Sequence, residues 1–280
     1  MCKLTILCEN TVIPCPGLLG EHGFSVLIEK EDRTFLFDTG QGYVIMQNAN
    51  VLNKDLKKIS KIFLSHGHFD HTGGLAAVIR EVGKMDVYAH PDIFTERFAV
   101  TRVEGKDNIR SVGIPEEKDA LCAMGAVFHF NTDLSEVDTD MFLTGEVLRE
   151  TSFEQEDKRL VVIKNDERVQ DPFKDDQSLV IKTEKGLAVV LGCAHSGMIN
   201  MLNHIQQKFP REKIHMVIGG THMGFLNPSQ AEMTIEALKV FKIDKIGVSH
   251  CTGLNAAAML KQAFGDKFFF ASAGTVVEVE

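Results

Sequence analysis

Apolar positions along the chain alternate in short runs separated by charged or glycine-containing turns. Leu4, Ile6 and Val12 lie on such an alternation and predict a first β-strand. Runs at 25–29 and 34–37 are rich in β-formers and flank the turn Lys30-Glu31-Asp32-Arg33, which predicts a hairpin. A buried-type strand follows at 61–64. Thr72 is the expected cap of a helix from Gly74 to about Val82, and a short strand follows at 86–89. Towards the C-terminus the same order returns: strands at 178–183 and 187–191, a helix at about 198–208, a strand at 214–218, a helix at 229–241, a strand at 246–249 and a helix at 255–264. Hairpins mixed with βα units predict an α/β protein of layered sheets with outer helices.

The recurrence reads as an internal repeat. SVLIEKEDRTFLFDTG from Ser25 resembles SLVIKTEKGLAVVLGCAH from Ser178; KIFLSHGH from Lys61 resembles HMVIGGTH from His215; VYAH from Val87 resembles GVSH from Gly247. All three pairs occur in the same order. Residues 1–280 therefore read as one domain of two similar halves, about 1–90 and 173–280, whose strand ends converge on one cleft. Residues 91–172 have weaker periodicity and many charges, and are too long for a simple connection. They are expected to form an insertion or lid over the cleft, with Arg97, Arg102, Lys106 and Arg110 able to grip an anionic substrate.

Charge and composition narrow the function. Thirty Lys and Arg against 39 Asp and Glu give a net charge of −9. A nucleic-acid partner is not expected, because phosphate binding uses a broad basic footprint. No run approaches the ~18 apolar residues that a membrane span needs. The first residues, MCKLTILCEN, do not read as a signal peptide. The six cysteines are scattered without a CxxC pair, so reduced thiols in the cytoplasm are expected rather than a disulfide framework.

The chemistry is carried by FLSHGHFDHTGG, which places His66, His68, Asp70 and His71 directly after an apolar strand. Four ligand-type side chains within six residues are poor core packing and good metal ligands. Imidazole with carboxylate suits Zn²⁺, Fe or Mn²⁺. In an extended segment His66 and His68 point the same way and can share one ion, while Asp70 and His71, at the turn into the helix, can face a second.

HxHxDH after a β-strand resembles the signature of the metallo-β-lactamase superfamily, and the resemblance extends over nearly the whole chain. It implies a four-layer αββα sandwich and one or two metal ions, Zn²⁺ first. It implies that His66, His68 and His195 hold the first ion and that Asp70, His71 and His250 hold the second. Asp38, in FDTG, takes the position of an aspartate that buttresses the metal loop. One departure stands out. Many dinuclear members carry an aspartate bridging both ions, and no clear aspartate occurs here; Cys193, His195 and His222 are the candidates to replace it. GCAHSG, GGTHMG, SHCTG, LTGEV and DDQSLVI further resemble a subgroup whose named member joins a dihydropterin to a ribofuranosyl-aminobenzene phosphate.

The leading expectation is a metal-dependent hydrolase of a small, anionic phosphoester, ester or lactone. Metal binding lowers the pKa of water from ~15.7 towards ~7, giving hydroxide near neutrality. Asp70 would orient this nucleophile and His222 would help stabilise the oxyanion. The helix after Thr72 would favour the anion with its free N–H groups. The alternative is a synthase-like transferase with an aryl nucleophile. An iron redox enzyme and a metal-stabilised binding module rank below both.

Overall fold

The structure, a computed structural model, describes residues 2–154 and 156–279. Two seven-stranded sheets face each other. The first runs, edge to edge, Val276–Val279, Cys2–Cys8, Ser25–Lys30, Arg33–Phe37, Ile59–Phe63, Met85–Ala89, Ala126–Phe130. The second runs Phe268–Phe270, Lys245–Ser249, Ile214–Gly220, Gly186–Leu191, Leu179–Thr183, Met141–Leu143, Ser135–Asp138.

Side-chain alternation builds the layers. Val26, Ile28, Phe35 and Phe37 point inward and meet Leu179, Ile181, Ala188 and Val190 of the other sheet. Leu27 and Leu36 point outward and meet Ile45 and Ala49 of the helix Ile45–Val51, and Leu75, Val78 and Ile79 of Leu75–Val82. Leu187, Val189 and Leu191 do the same for Met198–Lys208, Pro228–Lys239 and Gly253–Phe264. Three apolar interfaces separate four layers, the αββα sandwich expected from the sequence. The repeat is visible as topology: in each half an antiparallel hairpin is followed by two parallel additions.

Three expectations are corrected. Val12 lies beyond the first strand and makes only an isolated bridge to Ala273. The helix after the histidine motif comes in two pieces, Phe69–Thr72 and Leu75–Val82; Gly74, not Thr72, precedes the second, and the Thr72 hydroxyl donates back to the His68 carbonyl. The segment 91–172 is not one insertion. Ala126–Phe130 is the edge of the first sheet, and Ser135–Asp138 with Met141–Leu143 is the edge of the second. Two hairpins form a separate four-stranded sheet, ordered Glu167–Gln170, Leu160–Lys164, Arg97–Val103, Lys106–Ser111. Its periodicity is weak in sequence because it has little core of its own: every residue of Lys106–Ser111 is exposed.

Candidate metal centre

The site lies where strands of both large sheets end, under the small sheet. Four chain turns there are made by non-glycine residues in the left-handed region: Asp38 (φ 56°), Ala194 (56°), His222 (54°) and His250 (52°). Such conformations cost about 1–3 kcal/mol each and persist only where the surroundings enforce them. Gly67 is required for a different reason: a Cβ there would lie 2.1 Å from the Ile93 carbonyl oxygen.

Asp38 is fully buried and sets two histidines at once. Its Oδ1 accepts the Ser65 N–H at 2.8 Å, and its Oδ2 accepts the Ser65 hydroxyl at 2.7 Å and lies 2.7 Å from His71 Nδ1. With its proton given to Asp38, the Ser65 hydroxyl must accept from His66 Nδ1, 2.9 Å away. Both imidazoles therefore carry hydrogen on Nδ1 and turn Nε2 into the site. Two neighbouring carboxylates hold the loops themselves. Asp175 accepts the Gly67 N–H at 2.8 Å and Asp176 accepts the Ser196 N–H at 2.6 Å, beside His195.

Among the described residues, ligand atoms assemble into four overlapping groups, each within 4.8 Å: His66, His68 and His195; His66, His71 and Cys193; Cys193, His250 and Cys251; His22, Asp70 and His250. His66 joins the first pair of groups, Cys193 the middle pair and His250 the last. The expected first trio is thus brought together. The expected second trio is divided, with His71 beside Cys193 and Asp70 beside His250. His22, which has no motif around it and sits half-exposed in a loop, places Nε2 3.0 Å from Asp70; His250 Nε2 is 3.2 Å away.

Electrostatics prepare these groups for a cation. Burial drives His68 down to about 3, against the pull of Asp70. Burial, reinforced by neighbouring imidazoles, holds His66 and His195 well below the usual histidine range. They are neutral at pH 7, as ligation requires. Burial alone would raise Asp70, yet hydrogen bonds from His22 and His250 hold it ionised. The Nε2 atoms of His66 and His68 and both ring nitrogens of His195 are buried without a hydrogen-bond partner. A buried imidazole lone pair without a partner is costly, and one divalent cation would satisfy all three rings. The donor set fits the metal that the sequence implies.

A cavity of about 210 Å³ opens over this ladder, reached by His22, His68, Asp70, His195, His222 and His250. The small sheet and adjacent loops close its other side, with Phe69 and Phe225 as aromatic walls. The Arg110 guanidinium lies 5.4 Å over the Phe69 ring, and that of Arg159 4.6 Å over the Phe225 ring. His222 joins none of the ligand groups; its ring lies 4.3 Å from that of His195 and its Nε2 3.6 Å from Asp157.

The expected grip of four cations is corrected. Arg97 is 2% exposed and bonded to Asp171 (2.7 Å) and Asp175 (2.6 Å), so it cannot reach a substrate. Arg102 and Lys106 stand exposed beside the turn of their hairpin and do not line the cavity. Arg110 remains, joined by Arg159, which no motif marked. In the short helical segment Phe69–Thr72 the N–H of Phe69 is taken by the Val112 carbonyl at 3.0 Å.

Known proteins are similar to this chain in sequence and fold. Residues 19–126 match the family model for the metallo-beta-lactamase superfamily. The chain is 33% identical over 267 residues to the 7,8-dihydropterin-6-methyl-4-(β-D-ribofuranosyl)-aminobenzene-5′-phosphate synthase of Methanocaldococcus jannaschii, covering 92% of this chain and 90% of that one. The crystal structure of Tm1679, described as a metal-dependent hydrolase of the β-lactamase superfamily, superposes with a TM-score of 0.84 at 29% identity, over 100% of this chain and 99% of that one. Zn²⁺-bound PqqB from Methylobacterium extorquens shares the fold alone, with a TM-score of 0.57 at 12% identity over 99% of this chain and 100% of that one. With a full-length relative above 30% identity, an αββα sandwich and the histidine-rich loop at its strand ends, the chain belongs to the metallo-β-lactamase superfamily.

Proposed function

We propose that the chain is a metal-dependent hydrolase of a small anionic substrate, a phosphoester, ester or lactone, bound in the cavity between the sandwich and the small sheet. The observation that carries this reading is the convergence of unpartnered, neutral imidazole nitrogens on His66, His68 and His195 beside that cavity. A divalent metal, Zn²⁺ or alternatively Fe or Mn²⁺, supplies Lewis-acid activation of water near neutral pH when bound there.

The chain's own residues do the rest. Asp70, ionised and bonded to His22 and His250, is placed to hold the attacking water in line. His222 lines the same cavity beside His195. Burial opposes its protonation, but Asp157 and Cys251 raise it to about 9, and its ring nitrogens, buried without a partner, are placed to donate to a developing oxyanion. Arg110 and Arg159 bind the substrate's negative charge at the mouth, and the two phenylalanines exclude water from its apolar part.

A second reading is favoured by the 33% identity to the synthase, whose name implies an aryl amine acceptor in place of water. The same residues would then hold a leaving anion while the acceptor enters between Phe69 and Phe225. One experiment separates the two. The metal-loaded protein is offered a panel of phosphoesters and lactones, and a dihydropterin diphosphate with and without an aryl amine ribosyl phosphate, and products are identified by mass spectrometry. Hydrolysis in the panel that needs no acceptor supports the hydrolase. Product formed only with the acceptor establishes the transferase.

A further inference from the structure

Two of the cysteines meet in the wall of the cavity. Cys193 and Cys251 are 58 residues apart in sequence, and their sulfurs lie within 4.8 Å of each other. No other ligand-type group among the described residues holds two cysteines. The strands that deliver them are not neighbours: Gly186–Leu191 and Lys245–Ser249 each pair with Ile214–Gly220, which runs between them. Strands two places apart stand about 9–10 Å from each other, which keeps most side chains from meeting. Gly220 removes the obstacle. A Cβ there would lie 2.7 Å from the Cys251 Sγ and 3.3 Å from the Cys193 Cα, so the two cysteines meet over a residue that has no side chain.

Hydrogen bonds already link the pair. The Cys251 sulfur accepts the His222 backbone N–H at 3.2 Å, and its thiol donates to the Cys193 carbonyl at 3.5 Å. The Cys193 sulfur is held 3.1 Å from His71 Nε2. Both residues are nearly covered, yet each lines the cavity of about 210 Å³, so a reagent as small as hydrogen peroxide reaches them. A disulfide bond is about 2.0 Å long, and rotation about the two Cα–Cβ bonds brings the sulfurs across the remaining gap.

We propose that Cys193 and Cys251 form a redox modification site, at which hydrogen peroxide converts the two thiols to a reversible disulfide. Cys251 reacts first. It is the more exposed of the two, at 7% against 3%, and the N–H on its sulfur favours negative charge there. Its sulfur attacks one peroxide oxygen, the O–O bond breaks, the other oxygen leaves as water with the thiol proton, and Cys251 becomes a sulfenic acid. The Cys193 sulfur then attacks the Cys251 sulfur, the S–O bond breaks, and the departing hydroxide takes the Cys193 thiol proton. The two thiols lose two electrons and two protons in total, and the peroxide becomes two waters. The crosslink joins the loops that carry His195 and His250, since Cys193 lies two residues before the first and Cys251 directly follows the second. The site needs the cavity but no reaction in it, so it does not depend on the hydrolase reading.

The test uses the full-length protein as purified, reduced, desalted and exposed to a small molar excess of hydrogen peroxide. Remaining thiols are blocked with an alkylating reagent under denaturing conditions, and the digested peptides are read by mass spectrometry. In wild type the peptides of Cys193 and Cys251 should appear joined, two hydrogen masses lighter than their sum, with Cys2 and Cys8 alkylated. Dithiothreitol should restore both thiols. Cys193→Ser should leave Cys251 as a sulfenic acid that dimedone labels, and Cys251→Ser should leave Cys193 a thiol. Alkylation of both cysteines in peroxide-treated wild type would overturn the site. So would a disulfide of either with another cysteine, or oxidation to sulfinic acid without a crosslink. These outcomes are read on wild type and hold even where a variant does not fold. Dimedone on Cys193 in Cys251→Ser, with none on Cys251 in Cys193→Ser, would overturn the order of attack.

Discussion

The cavity has two walls of opposite character. On the sandwich side, Asp38, Ser65, His66, His71 and Asp175 are fully buried, and the hydrogen bonds that orient the two imidazoles run between buried groups. On the small-sheet side, Lys106–Ser111 is exposed throughout, and Arg110 and Arg159 lie over aromatic faces, Arg159 also pairing with the part-buried Asp157. The first wall fixes atoms to within the tolerance that ligation demands; the second can change composition without disturbing a core. In the proposed hydrolase, chemistry belongs to the rigid wall and substrate choice to the adaptable one.

Arg97 joins the walls, and removing it should have the largest effect. It opens the strand Arg97–Val103 of the small sheet, yet its guanidinium is buried against Asp171 and Asp175, and Asp175 in turn holds the Gly67 N–H between two metal-site histidines. Arg97→Ala leaves two buried carboxylates without their cation, a loss of about 3–5 kcal/mol. Denaturant unfolding of the metal-free protein measures it. A change below about 1 kcal/mol would mean that the walls are not coupled through this residue.

Asp38 comes next. Asp38→Asn removes one acceptor oxygen from a centre that orients His66 through Ser65 and His71 directly. Losing such an outer partner typically costs 10–100-fold in metal affinity. Competition against a chromophoric chelator reads it out. Unchanged affinity with a normal fold would show that the loop holds the rings without this carboxylate.

The same contrast explains what the sequence disclosed. His66, His68, Asp70 and His71 were legible because their spacing is local and strand alternation decides where they point. Asp38, His195 and His250 were legible through the resemblance to the metallo-β-lactamase superfamily, which puts each at a strand end. Cys193 was legible only as one candidate for a missing aspartate; its 3.1 Å approach to His71 spans 122 residues of sequence. His22 and Arg159 carry no motif, and they enter the site because loops and a small sheet fold over it. Arg97 misled because an arginine in a charged segment reads as solvated, and its two partners lie 74 and 78 residues away.

The rigid wall should also reveal itself through pH. Burial pushes Asp176 up to about 7 although the Ser196 N–H donates to it. An acid whose folded pKa exceeds its unfolded value, 3.8, binds more protons folded than unfolded between the two. It therefore subtracts stability as pH rises through that window. Asp176→Asn and wild type should unfold at similar temperatures at pH 4 and diverge by pH 8, with the variant the more stable. His68 acts oppositely: its folded pKa of about 3 lies below the ordinary histidine value of 6.5, so its contribution is present above pH 6.5 and fades as pH falls towards 3. That effect is common to both proteins, so their difference isolates Asp176. Parallel curves from pH 4 to pH 8 would remove Asp176 from the description.

The smallest expected effect tests the adaptable wall. Arg110 and Arg159 stand at the cavity over Phe69 and Phe225, partly exposed, and Arg159 is also paired with Asp157. Replacing either by alanine should change stability by no more than about 0.5 kcal/mol. Each should raise KM for an anionic substrate about tenfold, because a partly exposed charged contact contributes about 1.4 kcal/mol. The kcat should hold, since ground state and transition state both lose that contact. Lys106→Ala, beside the exposed hairpin turn, is the control and should leave both constants alone. Steady-state kinetics on any substrate found active in the panel decides the matter. If kcat falls while KM stays, the arginines contact charge that develops during reaction, and chemistry would extend across both walls rather than one.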